Sequence, residues 1–171
     1  MKTLFLDIET RSSVDLSKGG VYKYASSSDF EVLLFGYAVD DGEVKVIDLV
    51  SGDTMPDEVL HALVDENITK WAHNCSFERV CLSHWMRKHH PALFSGDYFD
   101  PKSWKCTMVL AAYNGLPLSL EKVGAVLGLE QQKLKEGRDL VRYFCSPSRT
   151  ESRQWNLSKH APDRWKTFID Y

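Results

Sequence analysis

The sequence predicts one layered domain of the α/β or α+β class, and the order of its segments is the main reason. Short apolar runs typical of strands fill the first part of the chain, a strand–helix alternation follows, and helical patterns fill the rest. The chain has 171 residues, 43% of them hydrophobic and 26% charged, which is enough for one full core in an ordinary globular protein. No repeat, low-complexity segment or linker divides residues 1–171, so we expect a single domain.

Strands are predicted mainly in the first 72 residues. The apolar runs that support them cover residues 4–9, 31–39, 43–50 and 68–72. The second and third runs are separated by Asp40-Asp41-Gly42, whose Asp-Gly step favours a tight hairpin, so these two strands should be antiparallel. The stretch from Arg11 to Ser28 contains Gly19-Gly20 and a run of serines, and we expect turns there.

Helices are predicted wherever apolar residues recur at helical spacing. These segments cover about residues 56–65, 78–88, 107–113, 118–127 and 134–144, with a last helix from residue 162 onward. Asp53 or Thr54 is the expected cap of the first helix, and Pro162 suits the first turn of the last one. Residues 146–158 are polar and should form turns.

Composition limits the classes of protein that fit. No apolar run approaches the ~20 residues of a membrane helix, and the first residues lack the features of a secretory signal. We therefore expect a cytoplasmic protein with no membrane partner. The four cysteines show no CxxC pair and no zinc-ligand spacing, which favours free thiols in a reducing compartment. The net charge of −3 hides a gradient from an acidic body to a basic segment after residue 130, which suits phosphate contacts there.

Two carboxylates, Asp7 and Glu9, come at the end of the first strand. Residues two apart on a strand point to the same face, so these side chains should lie side by side and repel each other. A hard divalent cation such as Mg²⁺ or Mn²⁺ would neutralise them. A solvated strand end is the alternative, and the triplet alone does not decide between the two.

A second group of polar and aromatic residues lies where the fourth strand meets the next helix. Glu78 would supply a third carboxylate, Asn74 could bond to a sugar or phosphate, and Phe77 could stack on a base. For Phe77 the alternative is core packing. For His73 it is a partly buried histidine whose hydrogen bonds are satisfied within the protein.

These two groups resemble known motifs. Residues 5–10 (Phe-Leu-Asp-Ile-Glu-Thr) resemble the first motif of the DEDD superfamily of 3′–5′ exonucleases, and residues 74–78 resemble the second. Blocks over residues 20–38, 104–120 and 135–140 are similar to the proofreading domains of phage-type family A (polymerase I-like) DNA polymerases. The resemblance covers nearly the whole chain. It implies an α/β fold of the RNase H-like type, with a mixed central sheet flanked by helices.

The resemblance also implies a chemistry, hydrolysis of phosphodiester bonds at DNA 3′ ends by two Mg²⁺ or Mn²⁺ ions. Asp7 would bridge both ions, Glu9 would bind the ion that holds the nucleophile, and Glu78 would lie near the other. The substrate would be a single-stranded DNA 3′ end. The residues expected to contact it are Thr10, His73, Asn74, Phe77 and Arg138, the last with a surface ion pair as the alternative.

Two departures from the family pattern bear on activity. The second motif more often ends in Asp, whereas Glu78 stands here. The third motif is usually Tyr, three residues, then Asp, or His, four residues, then Asp. His160 does not fit, because Trp165 stands where the aspartate would be. Tyr171 matches the motif tyrosine, which would orient the attacking water, and the matching aspartate would follow the last residue.

We therefore expect an N-terminal fragment of a longer DNA polymerase, with a polymerase domain downstream and with impaired cleavage in this form. Two alternatives remain open at the level of sequence. One is a free-standing exoribonuclease of the same superfamily. The other is a non-catalytic nucleic-acid-binding module with a degenerate site.

Overall fold

The computed structural model describes residues 1–129, 137–147 and 155–171. In these residues the strands are β1 (Thr3–Arg11), β2 (Glu31–Val39), β3 (Lys45–Asp48), β4 (Thr69–Ala72) and β5 (Trp104–Cys106). The helices are α1 (Leu16–Ala25), α2 (Asp57–Val64), α3 (Ser76–His89), α4 (Thr107–Tyr113), α5 (Leu120–Leu127), α6 (Gly137–Cys145) and α7 (Pro162–Ile169).

The five strands form one mixed sheet in the order β3-β2-β1-β4-β5. The pairs β1–β2 and β2–β3 are antiparallel, as the Asp-Gly turn predicts for the second pair, whereas β1–β4 and β4–β5 are parallel. Strand β1 is central and borders both halves of the sheet. The predicted mixed sheet flanked by helices is confirmed.

A β-bulge in β2 lets the sheet carry a core on each face. The register pairs Glu9 with Leu34 and Thr10 with Val32, so Leu33 is an extra residue on β2. Leu33 and Leu34 both belong to a cluster with residues of α6 and α7, which lies on the face of β1 that carries Glu9. The other face of β1 contributes Leu4, Leu6 and Ile8 to a larger core with α1, α2 and α3.

The structure departs from the sequence prediction in three places. The stretch predicted as turns contains α1, in which Asp15 caps the start and Gly20, with φ of 71°, introduces a kink. Strand β5 was not predicted, because three residues are too few to show an alternating pattern. The predicted cap of α2 is wrong, since Pro56 is the cap residue and the Asp53 carboxylate accepts a hydrogen bond from the Asp48 amide.

The other predicted elements are present with shifted ends. The helix predicted over residues 134–144 corresponds to α6, which begins at Gly137, and residues 134–136 lie outside the described residues. The turn region predicted over residues 146–158 also falls partly outside them.

Across the described residues, the structure has no helix with the length and apolar character needed to cross a membrane.

Candidate active site

Asp7 and Glu9 lie on the central strand, on the face opposite the larger core. Leu6, before Asp7, and Ile8, between the two acids, are buried. Asp7 is exposed and Glu9 is partly exposed, as the alternation of side chains along a strand requires. Across the sheet, Asp7 pairs with Gly36. Because glycine has no side chain, the sheet surface next to Asp7 stays open on that side.

Glu78 reaches the same region from the first turn of α3. Its side chain is 3% exposed, and within the described residues its Oε2 atom is buried without a hydrogen-bond partner. Burial, followed by the charges of Asp7, Cys106 and Glu9, raises the pKa of Glu78 to about 8, and the hydrogen bond to its own amide only partly offsets this. The fold thus brings the carboxyl of Glu78 within electrostatic range of Asp7 and Glu9, from which it is far apart in sequence.

A buried carboxylate with an unsatisfied oxygen, next to two other acids, destabilises the fold unless something neutralises it. Mg²⁺ and Mn²⁺ prefer oxygen ligands of this kind, so the three side chains suit a divalent cation. In their present positions, no three His, Cys, Asp or Glu side chains of the described residues meet closely enough to hold one.

Asn74 forms the turn that carries the chain from β4 into α3. Its φ of 70° lies in the left-handed region, which asparagine tolerates better than most residues. The Asn74 carbonyl accepts a hydrogen bond from the Phe77 amide at 2.8 Å, which fixes the start of the helix. The Asn74 residue itself is exposed. The turn therefore presents this amide side chain at the surface while it positions Glu78.

His73 and Phe77 have contacts within the protein. One ring nitrogen of His73 bonds the Thr107 hydroxyl at 3.0 Å and the other lies 2.8 Å from the Leu118 carbonyl, so the ring ties the end of β4 to α4 and to the loop before α5. Phe77 is half-buried against the larger core, with its ring 6.0 Å from that of Tyr24. These contacts match the alternatives considered for both residues, and their role in substrate binding stays a prediction.

Thr10 is buried, and its hydroxyl is 2.9 Å from the Tyr24 hydroxyl. Its side chain therefore points into the core and not toward Asp7. Burial, with smaller contributions that include the charge of Glu9, raises the pKa of Tyr24, which keeps the phenol protonated. A contact between Thr10 and a nucleotide, which remains a prediction, would have to use the main chain.

Arg138 lies on α6, and Tyr171 follows α7, in the cluster that these two helices form with Leu33 and Leu34. The Tyr171 ring stacks on the Phe168 ring, with the two centroids 6.4 Å apart. The same tyrosine ring lies against Gly137, where a Cβ atom would be only 1.7 Å from it, so this position has no room for a side chain. Arg138 makes an exposed ion pair with Glu121 at 2.9 Å, the alternative considered from sequence, and exposed pairs contribute little to stability.

Cysteines near the carboxyls were not among the predicted site residues. The Cys145 thiol, at the end of α6, donates a 4.0 Å contact to the Glu9 carboxylate, and burial and then the charge of Glu9 raise its pKa. Cys106 is close enough for its charge to raise the pKa of Glu78. No local spacing in the sequence could have indicated either contact, because each joins residues from distant elements.

Comparison with known proteins shows what this chain is similar to in sequence. Over 175 aligned residues, which cover 100% of this chain, the sequence is 47% identical to a DNA polymerase of Bacillus phage SP02. The chain is homologous to part of a phage DNA polymerase. It spans 26% of that polymerase, about a quarter of its length. A comparison with models of known protein families finds no match.

Solved structures resemble this chain in fold. NrnC of Brucella melitensis, solved bound to pGG, has 16% identity and a TM-score of 0.52, and the match covers 98% of this chain and 66% of NrnC. The Nibbler EXO domain of Aedes aegypti has 14% identity and a TM-score of 0.51, covering 99% of this chain and 78% of that one. NrnC has also been solved with bound Mg²⁺. The RNase H-like fold implied by the resemblance is thus confirmed.

Proposed function

We propose that this chain is the 3′–5′ exonuclease (proofreading) domain of a phage-type DNA polymerase and hydrolyses phosphodiester bonds at single-stranded DNA 3′ ends. The observation that carries the proposal is that the charges of Asp7 and Glu9 act on the buried carboxyl of Glu78, in a chain 47% identical to a segment of a phage DNA polymerase. The RNase H-like exonuclease fold supports it.

Asp7, Glu9 and Glu78 would hold the divalent cations, Mg²⁺ or Mn²⁺. The unsatisfied Oε2 atom of Glu78 supports this role, since a cation would supply the missing partner. When bound, the ions would lower the pKa of a water molecule and stabilise the departing 3′ oxygen. The burial of Glu78 limits the movement of its side chain, whereas exposed Asp7 can reach both an ion and a phosphate.

Other residues would position the substrate and the water. The exposed amide of Asn74 would bond the terminal sugar or phosphate, next to the main chain of Thr10 and the edge of Phe77. His73 would support this group through the bonds that fix the end of β4. Tyr171 would orient the attacking water.

Arg138 would reach a phosphate of the DNA strand. It can do so only by leaving its ion pair with Glu121, a small cost at an exposed position. The polymerase relative is about four times as long as the aligned segment, which supports a polymerase domain in the parent chain. We place the protein in the cytoplasm of a bacterium or of a phage-infected host, as the phage relative suggests.

The test is 3′ trimming of a 5′-labelled single-stranded DNA with Mg²⁺ or Mn²⁺, compared with RNA of the same sequence. The assay uses this chain and an extended one that continues past Tyr171. Asp7→Ala is the variant of the site. Asp41→Ala, which removes an exposed aspartate in the β2–β3 turn, is the matched control.

We expect metal-dependent trimming of DNA by the extended chain, a loss of more than about a hundredfold in Asp7→Ala, and no change in Asp41→Ala. Equal activity of Asp7→Ala would overturn the catalytic proposal. Faster trimming of RNA would instead favour an exoribonuclease. An inactive extended chain that also gains no stability from Mn²⁺ would favour a non-catalytic module with a degenerate site.

A further inference from the structure

Helices α4 and α5 carry apolar side chains that the described part of the chain leaves uncovered. In a surface helix of a globular protein, the large apolar side chains normally form the stripe that is buried. Here the buried residue of α4 is Ala111 and that of α5 is Gly124, and both are small. Eight large apolar side chains of these helices and of the loops beside them are exposed, and we refer to them together as the apolar surface: Val109, Leu110, Tyr113, Leu118, Leu120, Val126, Leu127 and Leu129.

The spacing of these side chains groups them on each helix. On α4, Val109 and Tyr113 are four residues apart, and on α5, Leu120 and Leu127 are seven apart, which are spacings that place side chains on one face of a helix. His73 joins the two helices, because its ring bonds both the start of α4 and the loop before α5. Monomeric soluble proteins rarely expose large apolar patches, and those that occur usually mark a binding site.

The charge of this region favours a protein partner over a nucleic acid. Between Thr107 and Leu129 the only charged residues are Glu121 and Lys122. Glu121 is paired with Arg138, in the first turn of α6. Proteins bind DNA mainly through several Lys and Arg side chains that neutralise phosphates, and this stretch has a single one. An apolar surface with few charges is instead typical of the centre of an interface between proteins or domains.

Tyr171, from which a longer parent chain would continue, lies beside the same helices. Its ring packs against Gly137, and the neighbouring Arg138 donates a 2.9 Å hydrogen bond to Glu121 of α5. Chain that continues from Tyr171 would therefore leave the domain next to α5. The phage polymerase relative is about four times as long as the segment aligned with this chain. A parent chain of that length has enough residues to cover the apolar surface.

We propose that the apolar surface of α4 and α5 is where the polymerase part of the parent chain docks. The proposal rests on the proposed function, since it takes the parent chain to be a DNA polymerase. The facing surface of the polymerase part is then apolar as well. Docking there holds that part close to the candidate active site, because Thr107 at the start of α4 is bonded to His73.

Hydrogen–deuterium exchange read by mass spectrometry tests the contact in the full parent chain, with this chain alone as the reference. Amides of residues 107–129 should exchange at least about tenfold more slowly in the full parent chain, because docking suppresses the local opening of α4 and α5. Residues 41–47, which include the exposed Val44 and Val46, are the control and should exchange alike in both chains. Equal exchange of residues 107–129 in the two chains would overturn the proposal.

Charged substitutions in the full parent chain test the surface itself. Tyr113→Glu together with Leu127→Glu should return the exchange of residues 107–129 to the rate seen in this chain alone, since a charge opposes burial in an apolar contact. Val44→Glu, a matched change of an exposed apolar residue on the other side of the sheet, should leave the slow exchange unchanged. Circular dichroism checks that each variant is folded. Slow exchange that survives the double substitution would contradict the proposal.

Other occupants of the surface would give different results. If this chain alone forms a dimer by light scattering, and Tyr113→Glu dissociates it, the surface binds a second copy and the proposal is wrong. If single-stranded DNA added to this chain slows the exchange of residues 107–129, the occupant is DNA and the proposal is wrong. Trimming of DNA is measured separately. Trimming without protection would therefore refute the docking alone, and protection without trimming would refute the nuclease alone.

Discussion

Replacing Glu78 by glutamine should stabilise the metal-free protein at neutral pH. The pKa of Glu78 is raised from its ordinary 4.5 to about 8, so between these values the unfolded chain releases a proton that the folded protein keeps. The fold therefore loses stability as the pH rises from about 4.5 to 8. At pH 7 the loss amounts to about 3 kcal/mol, at 1.36 kcal/mol for each pH unit above 4.5. Glutamine keeps the shape of the side chain without the ionisation.

The measurement is urea unfolding, followed by circular dichroism in EDTA at pH 4 and pH 7. Glu78→Gln should be more stable than the parent chain by about 2–3 kcal/mol at pH 7, with the difference disappearing by pH 4. Glu43→Gln, which changes an exposed acid, should have no such effect. Added Mn²⁺ should stabilise the parent chain and should stabilise Glu78→Gln less, because a ligand raises stability only through the state that binds it.

Two results would refute this reasoning. If Glu78→Gln were less stable than the parent chain at pH 7, the buried carboxyl would not be the source of an electrostatic cost. If Mn²⁺ stabilised both chains equally at pH 7, the cation would bind elsewhere, and Glu78 would not be one of its ligands.

Three further changes test buried polar contacts of the fold. Trp165→Phe removes the 2.5 Å hydrogen bond from the indole to Asp48 and leaves a buried carboxylate oxygen, so the unfolding free energy should fall by about 1–3 kcal/mol in urea. Thr10→Val removes the 2.9 Å bond to Tyr24 and should lower it by about 1–2 kcal/mol. Lys70 is 1% exposed, and burial lowers its pKa to about 8. The stability of the parent chain relative to Lys70→Met should therefore rise by up to about 3 kcal/mol between pH 8 and 10.5, because the unfolded chain keeps the Lys70 proton that the folded chain has lost.

Each of these expectations has a contrary result. A Trp165→Phe chain as stable as its parent would mean that Asp48 finds another donor. An unchanged stability of Thr10→Val would mean that the hydrogen bond between the two buried hydroxyls makes no net contribution to the free energy of unfolding. A stability difference between the parent chain and Lys70→Met that stays constant from pH 8 to 10.5 would mean that the Lys70 amine does not lose its proton early in the folded chain.

Much of the fold could be predicted from sequence because its signals are local. The apolar run ending at Asp7 and Glu9 placed the central strand, and the Asp-Gly step placed the antiparallel β2–β3 turn. Helix α1 was not predicted for a local reason as well, because Gly19-Gly20 indicates a turn. The kinked helix packs against α3, a contact that local sequence does not show. Three-residue β5 is held by its pairing with β4, a contact between distant residues.

The candidate site, like the fold, could be predicted from sequence only in part. The sequence determined which carboxyls to consider, since Asp7, Glu9 and Glu78 stand in motifs whose order and spacing are visible in one dimension. Only the tertiary structure decided their environments: Glu78 is buried with an unsatisfied oxygen, the Thr10 hydroxyl faces the core, and His73 is bonded on both nitrogens. The reason is physical, because charge, burial and hydrogen bonding at a residue depend on neighbours that the chain supplies from far away.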